Sequence, residues 1–525
     1  MTFLAYQETL LGTFLNWDDL NYVVRNPHIK NWENVGWIFT FYEGNWTPLS
    51  WLSHALAYTV FGLDPWGHHL INVILHCVNT VLVFVLATIL FKLSTTTKFT
   101  LLAASLTALL FGLHPQHVEA VAWISARKDV LSLFFILLTL LSYLLYYAAR
   151  TVKIRFFTYV IALLSFTLAL MAKPTAMMLP FILLLLDSYL LKSTPTRRLY
   201  RDILLEKIPF LLLSLTVASF AWIAQQQSDT FTSVGVFTTT ERLANAAQNA
   251  FFYPAKWLLP TAFLPIYPLS REFHLIPIAM TLLITVLCGY AWYKKHFVWL
   301  LSWLSYLLAV APVLGIVQFG GHAAADRFAY FPTLPFYFLA GASVTILSIK
   351  PYQQILRAGF AIAVLLITIF LFQMTKAQNF IWNNDLTLWQ YTVAFSPDNA
   401  IAQANLGSAY LQRGENELAL SHYQQALAES AKKRLFYDVG RLYFQIGIAH
   451  LKLSHWSDAL YHFNYLLVYA LDSGQDQEVV LYYVGFIYAE QGLLVPARMA
   501  LSIALTLNPN HAPSQKLLNN IKSLN

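Results

Sequence analysis

Charge is what this chain has least of. Asp, Glu, Lys and Arg make up 11% of its 525 residues, where soluble domains carry about a quarter, and hydrophobic types reach 58%. That balance excludes a water-soluble globular protein and leaves a polytopic membrane protein. Cysteine is nearly absent as well. Cys77 and Cys288 stand far apart within apolar runs, which argues against a disulfide framework and for two small core residues. No Gly-rich nucleotide loop or Walker pattern occurs. No basic stretch precedes the first apolar residues, which argues against a cleavable signal peptide. The formal charge of +7 does not point to nucleic acid. Residues 1–395 hold 24 basic and 16 acidic side chains, and residues 396–525 hold 9 and 10. The excess therefore lies in the apolar part, where it reports topology.

A spanning helix needs about 20 mostly apolar residues. Such runs lie near 68–93, 99–113, 128–149, 156–173, 175–191, 208–225, 275–293, 297–317, 328–349 and 355–375. Residues 1–15, broken by Gln7, Glu8 and Gly12, read as the last turns of a helix that begins upstream of Met1. Alternate loops hold Lys92 and Lys98; Arg150, Lys153 and Arg155; Lys192, Arg197, Arg198, Arg201 and Lys207; Lys294 and Lys295; and Lys350 and Arg357. The intervening, longer loops hold the acids, among them Asp18, Asp19, Glu119, Asp129, Asp229, Glu272 and Asp326. The positive-inside rule places the basic set in the cytoplasm and the acidic set outside it. Ten spans starting outside return the chain outside. The C-terminal part is thus expected on the periplasmic side of a bacterial inner membrane, or in the lumen of the endoplasmic reticulum in a eukaryote.

From Ala400 onward, Leu406-Gly407, Tyr410, Ala419, Tyr423 and Ala426 fall at the spacing of a tetratricopeptide repeat. Ile446-Gly447, Ala459 and Phe463 mark a second copy, and Val484-Gly485, Tyr488, Ala497, Leu501, Ala504 and Pro509 a third. The fold class expected is all-α: a membrane helix bundle over 1–375, a linker over 376–397 and a three-repeat solenoid over 398–525, capped by Ser514–Leu524. Such stacks hold polypeptides more often than they catalyse, so a protein or peptide acceptor is the expected partner; a purely structural cap is the alternative. Near-neutral charge argues against a polyanion. Tyr410, Tyr437, Tyr443 and Tyr461 suit a peptide or sugar face, unless they fill the helix seams.

Chemistry concentrates at the outer ends of the spans. Asp18 and Asp19 are adjacent acids, which cost several kcal/mol in hydrocarbon and must face water or a polar cavity. His69, Asn72, His76 and Asn79 recur on one helical stripe, consistent with interhelical hydrogen bonds or with cavity lining. His114, His117 and Glu119 carry metal-ligand chemistry, but no fourth ligand is in view, so neither a metal nor another cofactor is expected. Arg127 and Lys128 head one span beside Asp129, Lys173 ends another, and Arg327 follows Gly320, Gly321 and Asp326. These outer-face cations exceed what the positive-inside rule puts there, and they suit an anionic lipid head group. Sugar nucleotides are scarce outside the cytoplasm, so an activated donor there would be lipid-linked.

Asn16-Trp17-Asp18-Asp19, Asn45-Trp46-Thr47-Pro48-Leu49-Ser50-Trp51, Gly67-His68-His69-Leu70-Ile71-Asn72, His114-Pro115-Gln116-His117-Val118-Glu119, Arg127-Lys128-Asp129, Met171-Ala172-Lys173-Pro174 and Ala325-Asp326-Arg327 together carry a family likeness. The chain resembles GT-C class membrane glycosyltransferases, and more closely the transmembrane and tetratricopeptide repeat-containing O-mannosyltransferases and their bacterial relatives. It departs from them where the first membrane helix, expected before the acid pair, is nearly missing. The resemblance implies transfer of a mannose-like hexose from a polyprenyl-phosphate donor to a protein or glycan hydroxyl, usually with inversion. Asp18 would be the general base, Asp19 would orient the site or bind the acceptor, and Arg127, Lys128, Lys173 and Arg327 would hold the donor phosphate. His69, Asn72, His114, His117, Glu119, Asp129 and Asp326 would line the site. The rival is a non-enzymatic membrane scaffold that recruits exported proteins through its repeats. A transporter fits poorly, because the polar residues gather at one face rather than at mid-membrane.

Overall fold

A backbone in hydrocarbon must satisfy its own hydrogen bonds, so the long apolar runs emerge as helices. The computed structural model describes residues 1–94, 99–193, 199–227, 238–268, 274–316, 322–344, 353–433, 439–469 and 477–523. Among them, seven helices are long and apolar enough to cross a membrane: Pro65–Leu93, Ile124–Ala148, Val152–Ala172, Pro174–Lys192, Tyr200–Gln226, Leu275–Tyr293 and Arg357–Ile381. An eighth candidate is a broken one, Thr100–Leu113 followed by Pro115–Ala122 at 52°. Pro115 has no N–H to continue the helix, and the His114 side chain accepts from Gln116 N to start the next turn.

Two expected spans come out differently. The run at 297–317 forms a helix of 14 residues, Phe297–Val310, about 21 Å long and short of a hydrocarbon core of about 30 Å. The run at 328–349 begins with the 3-10 turn Asp326–Ala329 and holds only the nine-residue helix Leu334–Ala342; its end at 345–349 lies outside the described residues. So do Lys98, Arg197, Arg198, Asp229, Glu272, Gly320, Gly321, Lys350 and Tyr437. Lys207, assigned above to a cytoplasmic loop, is instead buried inside a helix, where Nζ donates to Asp187 Oδ2 and Tyr143 Oη at 2.6 Å each.

The outer segment before the first span is folded rather than loose. Tyr22, Trp37 and Trp51 form an aromatic core joined by Tyr42. A helix that the apolar pattern did not suggest, Pro48–Phe61, starts with proline at its first position and stops at Gly62, whose φ of +58° favours glycine. The first residues form a short helix, Thr2–Tyr6, and a 3-10 turn, Gln7–Leu11. They are tied to the last span: Thr9 Oγ1 donates to Asn379 Oδ1 at 2.9 Å, Asn379 Nδ2 donates to Ala5 O at 3.0 Å, and Lys376 pairs with Glu8. A two-stranded antiparallel ribbon, Tyr267–Pro268 with His322–Ala324, positions the chain just before Asp326.

The chain divides into two compact units, Met1–Asn384 and Asp385–Asn525. The stretch 376–397, expected as a linker, is mostly helical. The last span runs on to Ile381, and Asp385–Phe395 is a helix packed on Ala400–Gln412 in the second unit. That unit continues as three helix pairs, Ala400–Gln412 with Asn416–Lys433, Val439–Lys452 with Trp456–Tyr469, and Gln477–Glu490 with Leu494–Leu507, and ends with Ala512–Ser523. Each pair closes on a glycine. Gly407 meets Tyr423, Gly447 meets Phe463 and Gly485 meets Leu501, and all three large partners are wholly buried. Tyr461, by contrast, is 64% exposed.

A Cβ on Gly447 would stand 2.7 Å from Phe463 Cε1, inside any tolerable contact. Gly447→Val should therefore destabilise the second unit by about 1–3 kcal/mol, read as a lower unfolding midpoint or faster proteolysis within 385–525. An unchanged midpoint would mean the seam can widen.

Candidate functional site

Consecutive residues in helical backbone point about 100° apart, so two adjacent acids at a helix start cannot serve the same site. Asp19 turns inward. Its Oδ1 accepts from Ser125 N at 2.9 Å and Ser125 Oγ at 2.5 Å, and its Oδ2 accepts from Leu15 N at 3.0 Å. It is fully buried, and burial pushes its carboxyl up from 3.8 to about 7 against the pull of those hydrogen bonds. This residue is an anchor that pins the acid loop to the segment before the Arg127 helix. Trp17 stacked on Trp123, with ring centroids 4.5 Å apart, fixes the same junction.

Asp18 is half-buried. Among the described residues no hydrogen bond or close ion pair engages its carboxylate, yet it interacts electrostatically with Lys128 and Arg327. Lys128 Nζ likewise has no hydrogen-bond or ion-pair partner among the described residues, and it sits 5.1 Å from the centre of the Tyr22 ring. Arg327 is held on one side only. Its backbone N donates to Glu119 Oε2 at 2.8 Å and its Nη1 pairs with Glu119 Oε1. Its guanidinium carbon lies 5.1 Å from the Trp123 ring centre and 4.8 Å from that of Phe328. Lys173 is paired with Asp129, whose Oδ2 is buried without a partner. Asp18, Lys128 and Arg327 thus interact electrostatically with one another, and Asp129 links Lys128 and Arg327 to Lys173.

Arg127 does not join them. It is fully buried, and its three nitrogens donate to Asn72 Oδ1 at 2.9 Å, Ser53 O at 3.2 Å and His68 O at 2.6 Å. Buried completely, with each nitrogen already engaged, the Arg127 guanidinium has no exposed face to offer a phosphate, which counts against its expected donor-binding role. Three of the four residues of the polar stripe are structural for the same reason. Asn72 Nδ2 donates to Val121 O and Trp123 O, Asn79 Nδ2 to Val130 O and Tyr330 Oη, and His76 bonds Tyr330 Oη at 2.7 Å. His69 is buried against Gly12. His114 Nε2 bonds Trp257 O at 3.0 Å, and His117 bonds Phe111 O and Tyr337 Oη. With Glu119 committed to Arg327, neither histidine points to a shared metal position. Asp326 accepts from Tyr267 Oη at 2.8 Å and has Lys256 as an electrostatic partner. Ser125, Tyr267 and Lys256 were not legible as site residues, since only the fold brings them here.

Asp129, Lys173 and Arg327 line a small cavity, together with Ser132, Thr175 and Tyr330. Ala309, Phe331 and Pro332 form part of its wall and also part of a second, larger groove. The larger groove is lined by Leu86, Leu90, Leu140, Leu185, Leu301 and Phe338, among other apolar side chains. These residues reach toward the opposite ends of their helices from Arg127 and Lys173. A charged chamber therefore adjoins an apolar channel that runs deep into the bundle.

No protein-family model matches the chain. A stretch of 154 residues is 36% identical to Protein O-mannosyl-transferase Tmtc1 of Drosophila melanogaster, covering 27% of this chain and 17% of that protein. Protein O-mannosyl-transferase F38B6.6 of Caenorhabditis elegans is 24% identical over 453 residues, 81% of this chain and 61% of its own. The chain thus spans only part of the length of these curated relatives. Among solved structures, the apo oligosaccharyltransferase of Archaeoglobus fulgidus matches with a TM-score of 0.39 and 15% identity, over 72% of this chain and 55% of that one.

Because Asp19 holds its proton more tightly when folded than at its ordinary value of 3.8, its contribution to stability is complete below that value. It is lost as pH rises through about 7. The loss amounts to at most about 4 kcal/mol. Asp19→Asn cannot titrate, so its unfolding midpoint in detergent should fall less than the parent's between pH 4 and pH 7. Parallel curves would show that the group does not titrate in this window.

Proposed function

We propose that this chain is a membrane glycosyltransferase that moves a mannose-like hexose from a polyprenyl-phosphate donor to a hydroxyl of a protein or glycan, on the non-cytoplasmic face. One observation carries the proposal: the Asp18 carboxylate, unengaged by hydrogen bonds among the described residues, interacts electrostatically with Lys128 and Arg327, and Arg327 lines a charged cavity that adjoins an apolar groove. A sugar joined through phosphate to a long isoprenoid chain has this division, with a polar head, an anionic joint and an apolar tail. Relatives named protein O-mannosyl-transferases support the hexose and the protein acceptor.

In the step itself Asp18 accepts the proton of the acceptor hydroxyl while that oxygen attacks the anomeric carbon from the face opposite the phosphate. The bond from that carbon to the phosphate oxygen breaks, and the phosphate leaves with the bonding electrons. The donor phosphodiester carries one negative charge and the departing phosphate two, while Asp18 goes from charged to neutral. The charge of the chamber is conserved, and it moves from the acid toward Lys128 and Arg327, which are placed to receive it. Lys173, neutralised by Asp129, then serves as a wall of the chamber more than as a free cation.

Asp18→Asn should fold, keep its affinity for donor lipid, and lose about 10²–10⁴-fold in transfer rate, the usual contribution of a positioned base. The assay is sugar transfer in membrane vesicles from a panel of polyprenyl-phosphate sugars. Full activity in Asp18→Asn would assign the base to another group, and tolerance of both Asp18→Asn and Lys128→Met would favour the scaffold reading.

The repeat unit is proposed to hold the polypeptide acceptor. Removing residues 385–525, a boundary that falls between the two compact units, should lower transfer to a protein acceptor while donor-lipid binding persists. Unaltered transfer would assign the repeats to another partner.

A further inference from the structure

The middle helix pair holds a concentration of histidine that sugar transfer does not use. His450 lies near the end of helix Val439–Lys452, and His455 and Asp458 lie at the start of the helix that follows. Ser454, with φ of +58°, reverses the chain between them, and His455 N donates back to His450 O at 2.9 Å. The turn thus delivers three donor side chains to one spot. One ligand atom from each lies within 4.8 Å of the others.

The inner member is the informative one. His450 is 8% exposed, and its Nδ1 is buried without a hydrogen-bond partner. Asp458 Oδ2 is the nearest acceptor, at 3.9 Å, too far to bond. A buried ring nitrogen left unsatisfied is a cost that folded proteins rarely retain without a ligand. His462, one turn beyond Asp458, stacks on His450 with ring centroids 5.5 Å apart and fixes the ring.

We propose that His450, His455 and Asp458 form a binding site for a divalent transition-metal ion of the zinc class. Two imidazoles and a carboxylate are a donor set that zinc accepts, with a water or a further ligand completing four-coordination. Ligand atoms around a tetrahedral zinc stand about 3.3 Å from one another, so the three must draw together slightly. His455 and Asp458 are exposed and have the rotamer freedom to close onto the fixed His450. The ion would tie the two helices of this pair across their turn, adding a link between metal loading and the rigidity of the repeat unit. This inference does not depend on the transferase reading.

The test uses the full chain, purified in detergent without a histidine tag and stripped with chelator. It is then equilibrated with zinc chloride, dialysed, and measured by elemental analysis and by thermal unfolding. The expected result is one zinc ion retained per chain and a higher unfolding midpoint, both lost in His455→Gln and in Asp458→Asn. These two substitutions sit at exposed positions and preserve side-chain shape, and circular dichroism checks that each still folds. A parent chain that retains no zinc, or variants that retain as much as the parent, would overturn the proposal.

Discussion

A fully buried arginine organises one end of the bundle. Arg127 cannot shed its proton, so its place in the interior requires an acceptor for every donor it aims inward. It takes Asn72 Oδ1, Ser53 O and His68 O, and so joins the helix it starts to Pro65–Ser94 and to Pro48–Phe61. Losing any of these acceptors would leave a buried N–H donor unsatisfied. The direction of Arg127 then fixes its neighbours, because successive helical residues turn by about 100°. Lys128 is swung toward Tyr22 and the Asp18 side, and Asp129 toward Lys173.

The acid pair repeats this division of labour. Asp19 is spent on Ser125 and Leu15, and Asp18, with no hydrogen bond among the described residues, lies in the field of Lys128 and Arg327. In each of these two runs of adjacent charges, one member is an anchor and a neighbour is left without a hydrogen bond among the described residues. Glu119 gives Arg327 the same treatment from outside the run, holding one edge of the guanidinium and leaving the other toward the cavity. Anchors of this kind keep the free groups in fixed positions, which electrostatic catalysis requires, since donors and charges that must reorganise give back much of their benefit.

The second unit rests on a different constraint, close approach. Gly407, Gly447 and Gly485 each leave a gap that one large side chain fills completely, and the pairs stack through buried faces such as Leu442, Ile446 and Ala449. The middle pair also carries His450, His455 and His462 within thirteen residues.

The sequence by itself determined the class of this protein. Long apolar runs with few charges must become helices in a membrane, and a repeated glycine with a large residue sixteen positions on must become a closed helix pair, because both follow from local periodicity. It also singled out the charged clusters at Asp18-Asp19, Arg127-Lys128-Asp129, Lys173 and Asp326-Arg327. What it could not assign was the role of each member. Arg127 and Lys128 look interchangeable in sequence, as do Asp18 and Asp19, and the His69–Asn79 stripe reads equally as cavity or as packing. Those choices depend on hydrogen-bond partners that come from distant segments, Ser53 for Arg127, Ser125 for Asp19 and Tyr330 for His76. Only the tertiary structure brings such partners together, and burial makes their hydrogen bonds obligatory. That is the physical reason it, and not the sequence, decided which charges are bound and which remain free to act.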